Sequence, residues 1–351
     1  MFLGDSITWD NHFVALVETH LRRRYPERAL RLLNRGVRGD TVHDALARLD
    51  RDVVVERPQM VVVLLGINDG GYRGLDRRRR RRYLDGMRRL VRRLRGETRA
   101  RLVLVTPTTV LPRTPALARN REMLASMAAG LIELGRRQRV AVIDLFSFFS
   151  AKLRLAAAAR PPIALMADAN HPNPAGHLVI ATHLLGALDP RGPGRQPDQR
   201  VDLARLPLPR ALTLTHDRLS LFVPPAARPV RPLLDLGGPH GQRLMVVGAA
   251  GPLRLRLADR ILGTFGPAAL RAGIALEAID DAPWVRDAEL LYRLLVRRGA
   301  LERRLRPCGR PPCPTAAQRH ATRLELGRIR RALAEWKPPT YRLQIEAADV
   351  R

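Results

Sequence analysis

Cysteine is scarce in this chain of 351 residues, and its scarcity limits the kinds of site that the chain can build. The two cysteines, Cys308 and Cys313, lie in a proline-rich stretch. A single C-x4-C pair is poor evidence for a zinc site, and the histidines show no HExxH spacing, so we expect no metal. The pair either closes a small loop in an oxidising compartment or remains as two free thiols.

Long apolar runs are also missing. No uninterrupted run reaches the ~18 residues of a membrane helix, and the first residues lack the basic region and apolar stretch of a signal peptide. Only Met1-Phe2-Leu3 precede the first glycine, whereas a strand usually has about five residues. The first strand therefore looks shortened, and a leader peptide would have been lost with it.

Two common nucleotide-binding motifs and one hydrolase motif do not occur. The chain has neither a Walker loop nor a G-x-G-x-x-G sequence, so no nucleotide cofactor is implied. None of its serines lies in the G-x-S-x-G elbow of α/β-hydrolases. The serines are Ser6, Ser126, Ser147, Ser150 and Ser220.

Positive charge, in contrast, is abundant. The formal net charge is +29, and all basic residues except Lys152 and Lys337 are arginine. Clustered arginines can bind nucleic acid, but these are scattered over the whole chain, so we expect no specific nucleic-acid partner. In the densest run, Arg77 to Arg95, apolar residues recur three or four apart, which predicts a helix with its arginines on the solvated face. Weak association with anionic polymers or a membrane surface stays open.

Residues 1–188 alternate short apolar runs with amphipathic stretches, which predicts a parallel sheet with helices on both faces. The predicted strands are Leu30 to Leu33, Met60 to Leu65, Leu102 to Val105 and Val140 to Asp144. The predicted helices are His12 to Arg24, Val42 to Leu49, Arg77 to Leu94, Ala116 to Arg136 and Pro174 to Leu188.

Residues 189–199 have the Pro-, Gly- and Arg-rich composition of a linker. Residues 200–351 are predicted to form a smaller region that is first β-rich and antiparallel, then helical. Its predicted strands are Ala211 to Leu214, Leu219 to Val223, Leu244 to Val247 and Leu253 to Leu257, and its helices are Trp284 to Leu305 and Thr315 to Trp336.

Four short motifs carry the residues of acyl transfer. They are Gly4-Asp5-Ser6, the segment from Asn34 to Thr41 that contains Gly39, Gly66-Ile67-Asn68-Asp69, and Asp168-Ala169-Asn170-His171-Pro172-Asn173. Their order and spacing resemble the SGNH (GDSL-type) hydrolase family. The resemblance implies a flavodoxin-like three-layer α/β/α sandwich, and the β-unit and helices beyond residue 200 loosely resemble the tail of some bacterial members.

A serine hydroxyl becomes a competent nucleophile when a neighbouring base takes its proton. His171 is the candidate base for Ser6, and Asp168 would orient the imidazole and stabilise its cation. The resemblance assigns the oxyanion hole to the backbone N–H groups of Ser6 and Gly39 and to the side-chain amide of Asn68.

Three further residues are predicted to support these motifs. Asp5 and Asp69 would organise their own turns through Asx-type hydrogen bonds, and Gly66 would permit the turn that aims Asn68 inward. Asn173 is predicted to cap a helix that begins at Pro174.

The sequence thus predicts an esterase that uses no cofactor and acts on a small-molecule or glycan ester, with acetyl removal from a glycan favoured by resemblance. Two alternatives remain: a lysophospholipase or thioesterase of the same family, and an inactive protein that binds acidic partners through its arginines. The resemblance implies an extracytoplasmic location if a leader preceded the chain, and the cytoplasm otherwise.

Overall fold

The chain divides into two compact units. The first contains Met1–Val14, Arg31–Leu188 and Val223–Leu234, and the second contains Ala15–Leu30, Asp189–Phe222 and Asp235–Arg351. The first unit ends at residue 188 before the predicted linker begins. Residues 15–30 lie in the predicted first domain but belong to the second unit, and residues 223–234 lie in the predicted C-terminal region but belong to the first unit. The computed structural model describes residues 1–189, 199–202, 210–214, 226–227, 243–257, 260–276, 279, 282–306, 313–337 and 339–348.

The first unit is built on a five-stranded parallel sheet flanked by helices, with strand order β2-β1-β3-β4-β5. This is the predicted flavodoxin-like three-layer sandwich, so the fold class is confirmed. The strands are β1 (Phe2–Gly4), β2 (Asn34–Gly36), β3 (Met60–Leu64), β4 (Arg101–Val105) and β5 (Ala141–Ile143). The helices are α1 (Ser6–Trp9), α2 (His12–Arg24, which continues into the second unit), α3 (Val42–Ala47), α4 (Leu49–Asp52), α5 (Arg77–Glu97), α6 (Pro115–Gln138), α7 (Leu145–Ala158) and α8 (Pro174–Leu188), with a 3-10 turn at Val54–Glu56.

Strand β1 is only three residues long, yet it lies inside the sheet. Its residues pair with β2 on one side and with β3 on the other. Phe2 and Leu3 are buried, and Val62 N–H donates to the Met1 carbonyl at 2.9 Å. The turn that follows β1 is therefore anchored from both sides despite the short strand.

Helix α5 has the predicted amphipathic pattern. Asp76 caps its first turn by accepting from the backbone N–H groups of Arg78 and Arg79. Its buried face consists of Tyr83, Gly86, Met87, Leu90, Val91 and Leu94. Burial of this stripe leaves most of the arginines on the outer face.

Two elements of the first unit differ from the prediction. The strand predicted at Leu30 to Leu33 pairs instead at Asn34–Gly36, because the Asn34 side chain bonds Thr8 and Asn11 and so fixes this polar edge segment beside β1. Helix α7 differs from the prediction, because its apolar sequence follows β5 with a single residue between them. Only the Asp144 side chain, which accepts from Ser147 N–H, marks its start.

In the described part of the second unit the strands form two small sheets, and most of the strand pairs are antiparallel, as predicted. The exception is β6, which pairs parallel to β8. Predicted strand Leu219 to Val223 lies outside the described residues. The strands are β6 (Gln199–Asp202), β7 (Arg210–Leu214), β8 (Arg243–Val247), β9 (Leu253–Leu257), β10 (Arg260–Phe265), β11 (Ile274–Ala275) and β12 (Tyr341–Ala347), and the helices are α9 (Pro267–Ala272), α10 (Pro283–Leu305) and α11 (Ala316–Glu335).

Trp284 belongs to the hydrophobic core of the second unit. Its side chain is fully buried, its ring packs edge-on against Tyr341, and its indole N–H donates to the Leu276 carbonyl at 3.1 Å. Leucine and isoleucine side chains of β8, β9 and β12 surround it. Burying an aromatic side chain of this size removes a large apolar area from water, and its one polar group has a partner.

The start of the predicted linker is fixed rather than free. Asp189 is buried, and its carboxylate bonds the ring Nε2 of His20 at 2.9 Å and the hydroxyl of Tyr25. Burial lowers the pKa of His20, against the opposing effect of Asp189. Residues 190–198 of the predicted linker lie outside the described residues.

Two further sequence expectations concern membrane-spanning helices and the state of the cysteines. Within the described ranges, no helix is long and apolar enough to cross a membrane. Cys313 is disulfide-bonded, so it is not the free thiol that was the second option, and Cys308 lies outside the described residues.

A buried ion pair of the second unit provides a test of stability. Arg298 donates two parallel bonds to Glu18, at 2.9 and 2.6 Å, and both side chains are buried. Arg298→Met removes two of the bonds to the buried Glu18 carboxylate and leaves it the bond from Arg22 at 2.9 Å. Because hydrogen bonds to a charged group are worth about 1.5–3 kcal/mol, we expect the free energy of unfolding to fall by about that amount in urea titrations. Arg297→Met is the matched control, because Arg297 pairs with Glu325 in solvent and such pairs contribute about 0–1 kcal/mol. Equal losses in the two variants would contradict this account.

Candidate active site

Ser6 begins helix α1, directly after the carboxyl end of β1. The Asp5 carboxylate accepts from Ile7 N–H at 3.0 Å and caps this short helix, which is the Asx-type bond predicted for Asp5. The Ser6 side chain is held at the sheet edge where ligands bind in folds of this kind.

Asp168 and His171 lie together on the loop before α8. The Asp168 carboxylate accepts from the backbone N–H groups of Asn170 and His171, at 2.7 and 2.8 Å, and contacts the Nδ1 of His171 at 2.8 Å. Burial alone would raise the pKa of Asp168, but these hydrogen bonds outweigh burial and lower it. The carboxylate is therefore ionised near neutral pH and fixes the orientation of the imidazole ring.

The opposite nitrogen of that ring reaches the serine. The Nε2 atom of His171 is 3.0 Å from the Oγ atom of Ser6. Asn173 steadies the loop: its side chain accepts from Gly176 N–H at 3.0 Å and caps α8, as predicted. Ser6, His171 and Asp168 thus form one continuous hydrogen-bonded series.

Asn68 is fixed by both ends of its amide. Its Nδ2 donates to the Asp40 carbonyl at 2.9 Å, and its Oδ1 accepts from the Tyr72 hydroxyl at 2.8 Å. A side-chain amide has two N–H groups, so one remains to donate to a ligand. Gly39, which adjoins Asp40, has a φ of 80°, a conformation that L side chains rarely adopt. The structure therefore places Asn68 beside the loop of Gly39.

Arg48, which sequence reasoning missed, ties these loops together. Its Nε donates to the Asp40 carboxylate at 2.7 Å and its Nη1 to Asp52 at 2.8 Å. Its Nη2 donates to the carbonyls of Gly4 and Arg35, at 3.3 and 2.9 Å. One buried guanidinium thus links the end of β1, strand β2 and the loop of Gly39 and Asp40.

The remaining predicted residues also lie near these loops, but Asp69 has an unexpected partner. Gly66 has a φ of 128°, so it makes the predicted turn after β3. Both oxygens of the Asp69 carboxylate accept from Val42 N–H, at 3.1 and 3.2 Å, and so cap the start of α3. Asp69 therefore bonds a second segment of the chain and does not only organise its own turn. The helix dipole and the free N–H at the start of α3 favour a carboxyl group there.

Three carboxyl groups in this region are buried. Burial raises the pKa of Asp5 to about 7 and the pKa of Asp69 to about 7, against the hydrogen bonds that each accepts. Burial also raises the pKa of Asp40, although Arg48 opposes that rise. Asp5 and Asp69 therefore change charge near neutral pH.

His177 and His183 lie outside the hydrogen-bonded series of Ser6, His171 and Asp168. The ring of His177 is buried and stacks on Phe13, and burial lowers its pKa to about 3. His183 stacks on Phe148 with ring centres 3.9 Å apart and donates to the Asp144 carbonyl. Both are packing residues of α8.

The raised pKa of Asp5 predicts a pH-dependent effect of Asp5→Asn on stability. Between about pH 4 and 7 the folded chain holds a proton on Asp5 that the unfolded chain has lost, so this contribution to stability declines as the pH rises. Asparagine cannot ionise. We expect the unfolding free energy of Asp5→Asn, relative to the unsubstituted protein, to rise by up to about 1.4 kcal/mol per pH unit in this window and then level off.

Urea titrations at several pH values would measure this difference. Asp50→Asn, which removes a carboxylate that is 73% exposed, is the control. A difference for Asp5→Asn that stays flat, or the same rise for Asp50→Asn, would contradict the prediction.

Comparison with known proteins places the chain in a family. The sequence model of the GDSL-like Lipase/Acylhydrolase family matches residues 2–179, more than half of the chain. An acetylxylan esterase of Geobacillus stearothermophilus is 28% identical over 206 residues, which are 53% of this chain and 91% of that protein.

Two solved structures are also similar. A gut microbial diltiazem-metabolizing enzyme has a TM-score of 0.81 at 18% identity, covers 99% of this chain and 97% of its own, and so shares the fold. An alpha/beta hydrolase enzyme from the metagenome of Lake Arreo, Spain, is 30% identical over 53% of this chain and 92% of its own, with a TM-score of 0.46. The chain belongs to the GDSL-like lipase/acylhydrolase family and is an ester-hydrolysing enzyme.

Proposed function

We propose that this enzyme is a serine esterase that removes acetyl groups from carbohydrates through an acyl-enzyme on Ser6. The observation that carries the proposal is the contact of 3.0 Å between Ser6 Oγ and His171 Nε2, with Asp168 2.8 Å from the other ring nitrogen. A nucleophile, a base and a group that orients the base are the minimum for this chemistry.

In the proposed reaction, Ser6 Oγ attacks the ester carbonyl carbon while its proton passes to His171 Nε2. The imidazolium cation is stabilised by the ionised Asp168, which accepts from Nδ1–H. His171 then gives its proton to the departing sugar hydroxyl, and the acyl group stays on Ser6. Water, deprotonated by His171, attacks the acyl-enzyme, and acetate leaves as the serine recovers its proton.

The negative oxygen of each tetrahedral intermediate needs donors that are already in place. We assign this role to the backbone N–H groups of Ser6 and Gly39, neither of which has an acceptor among the described residues. The third donor is the second N–H of Asn68, because its first N–H is bonded to Asp40 and its oxygen to Tyr72.

Two observations favour a carbohydrate ester over a lipid. The His171 and Asp168 side chains are 35% and 57% exposed, so the proposed site is open to a bulky substrate. The similarity to an acetylxylan esterase extends over 91% of that protein. An exposed site suits an acetyl group on a polymer better than it suits a long acyl chain, which needs an apolar channel.

We expect Ser6→Ala to lower kcat for p-nitrophenyl acetate by about 10³-fold or more, since no nucleophile remains. Ser150→Ala, which removes a buried hydroxyl of α7, is the control and should keep most of the activity. Acetylated xylo-oligosaccharides and p-nitrophenyl palmitate would test the substrate class. Turnover that survives Ser6→Ala would refute the mechanism, and a preference for palmitate would refute the substrate class.

Tyr72→Phe tests the role given to Asn68. Losing the hydroxyl frees the amide to rotate, so we expect kcat to fall by about tenfold with little change in KM, less than the ~10²–10³-fold cost of losing a whole oxyanion donor. In the Asn68→Ala background the same change should have no further effect, because its only proposed target is gone. Equal losses in the two backgrounds would show that Tyr72 acts elsewhere.

A further inference from the structure

A positively charged pocket lies beside α5 in the first unit, where that helix meets His43 of α3. Its cavity has a volume of about 540 Å³. We call it the arginine pocket and define it by Arg77, Arg78, Arg81, Arg82, Arg89 and His43. Arg77 and Arg81, like Arg78 and Arg82, are four residues apart, and Arg89 lies seven residues after Arg82, so these side chains occupy one side of the helix.

Positive charge exceeds negative charge in this pocket, which is lined by five arginines and one carboxylate. Within the described part of the chain, none of its arginines makes an ion pair or a side-chain hydrogen bond. The carboxylate that also lines the pocket, Asp85, is paired with Arg88 at 2.6 Å. The buried Nε2 atom of His43 likewise has no partner in the described ranges. Five guanidinium groups around a cavity that has one carboxylate, itself paired with Arg88, are typical of a site that binds an anion.

The pocket adjoins the loops that carry the proposed oxyanion donors. His43 follows Val42, whose N–H bonds the carboxylate of Asp69, the neighbour of Asn68. The charge of Arg82 reaches Asp69 and opposes the rise of its pKa. The segment that leads to α5 begins at the carboxyl end of β3. Ser6 follows the carboxyl end of β1, at the same edge of the sheet. The pocket and the loop of Asn68 are therefore linked through Val42 and Asp69.

We propose that the arginine pocket binds carboxylate groups of the substrate, so that the preferred substrate is an acidic, acetylated polysaccharide. This proposal rests on the proposed function and specifies its substrate class. The planar fork of arginine matches a carboxylate in bidentate geometry, and several forks along one helix suit a chain with an acid on successive sugars. The cavity is within the usual size of small-molecule sites, which fits a short stretch of a sugar chain.

The lining residues argue against two other anionic partners. Among the described residues, no Trp, Tyr, Phe, Leu, Ile or Val side chain lines the pocket. Single-stranded nucleic acid is usually held by aromatic rings that stack on its bases, and a membrane-surface helix needs large apolar side chains beside its basic ones. The pocket offers charge and hydrogen bonds without either of these.

The test compares Arg81→Gln/Arg89→Gln with Arg92→Gln/Arg99→Gln. Both double variants remove two exposed arginines, but only the first pair lies in the pocket. Three substrates separate the effects: p-nitrophenyl acetate, acetylated xylan as the neutral polymer, and acetylated polygalacturonate as the acidic one. Because Arg–carboxylate bonds are charge-assisted, we expect the pocket variant to lose at least about tenfold in kcat/KM on the acidic polymer alone, mainly through KM.

A binding measurement separates this proposal from the proposed function. Ser6→Ala should bind fluorescein-labelled oligogalacturonate in fluorescence anisotropy, and Ser6→Ala/Arg81→Gln/Arg89→Gln should bind it at least about tenfold more weakly. Binding without turnover by the unsubstituted enzyme would refute the esterase proposal and leave the pocket intact. Equal losses on all three substrates, equal losses in the control variant, or stronger competition by single-stranded DNA or anionic vesicles than by polygalacturonate would overturn the pocket proposal.

Discussion

The hydrogen bond between Ser6 Oγ and His171 Nε2 joins residues that are 165 positions apart in the chain, so it forms only when the first unit is folded. The parallel sheet supplies this condition, since its strands end at one edge and their loops meet there. Displacing either group by about 1 Å would break a contact of 3.0 Å and cost much of the rate. Strand β1, although it has three residues, resists such a displacement because it is paired on both sides.

Arg48 imposes a second constraint, because it holds the loops of this edge at fixed distances. A buried guanidinium has five N–H donors, and here they bond two carboxylates and two backbone carbonyls. The carboxylates of Asp40 and Asp52 balance its charge, which would be costly to bury alone. Asp69 adds a further link, from the loop of Asn68 to the start of α3. These polar links leave the donors proposed for the oxyanion little freedom to move, which suits a site that must be organised before the substrate binds.

Much of the first unit could be predicted from the sequence because its signals are local. The bounds of α2 and α8 follow from periodicity and capping, and the motifs name the groups that meet at the sheet edge. The sequence could not predict the contacts of Arg48 and Tyr72, nor the bond between Asp69 and Val42. Each of these contacts joins residues that only the folded chain brings together. In an arginine-rich sequence, an arginine that bonds two carboxylates and two backbone carbonyls looks like any surface arginine. The arginine pocket could not be predicted for the same reason: the sequence predicts these arginines on a solvated face, but it does not show that they surround a cavity and have no ion-pair partner among the described residues.

The central claim is that the Ser6 hydroxyl is made nucleophilic by His171. A fluorophosphonate reports this property directly, because it forms a covalent bond with an activated serine and not with an ordinary one. Treating the folded protein with such a probe, followed by peptide mass spectrometry, should give an adduct on Ser6 that His171→Ala abolishes. An adduct on another serine, or a Ser6 adduct that forms equally fast without His171, would contradict the account.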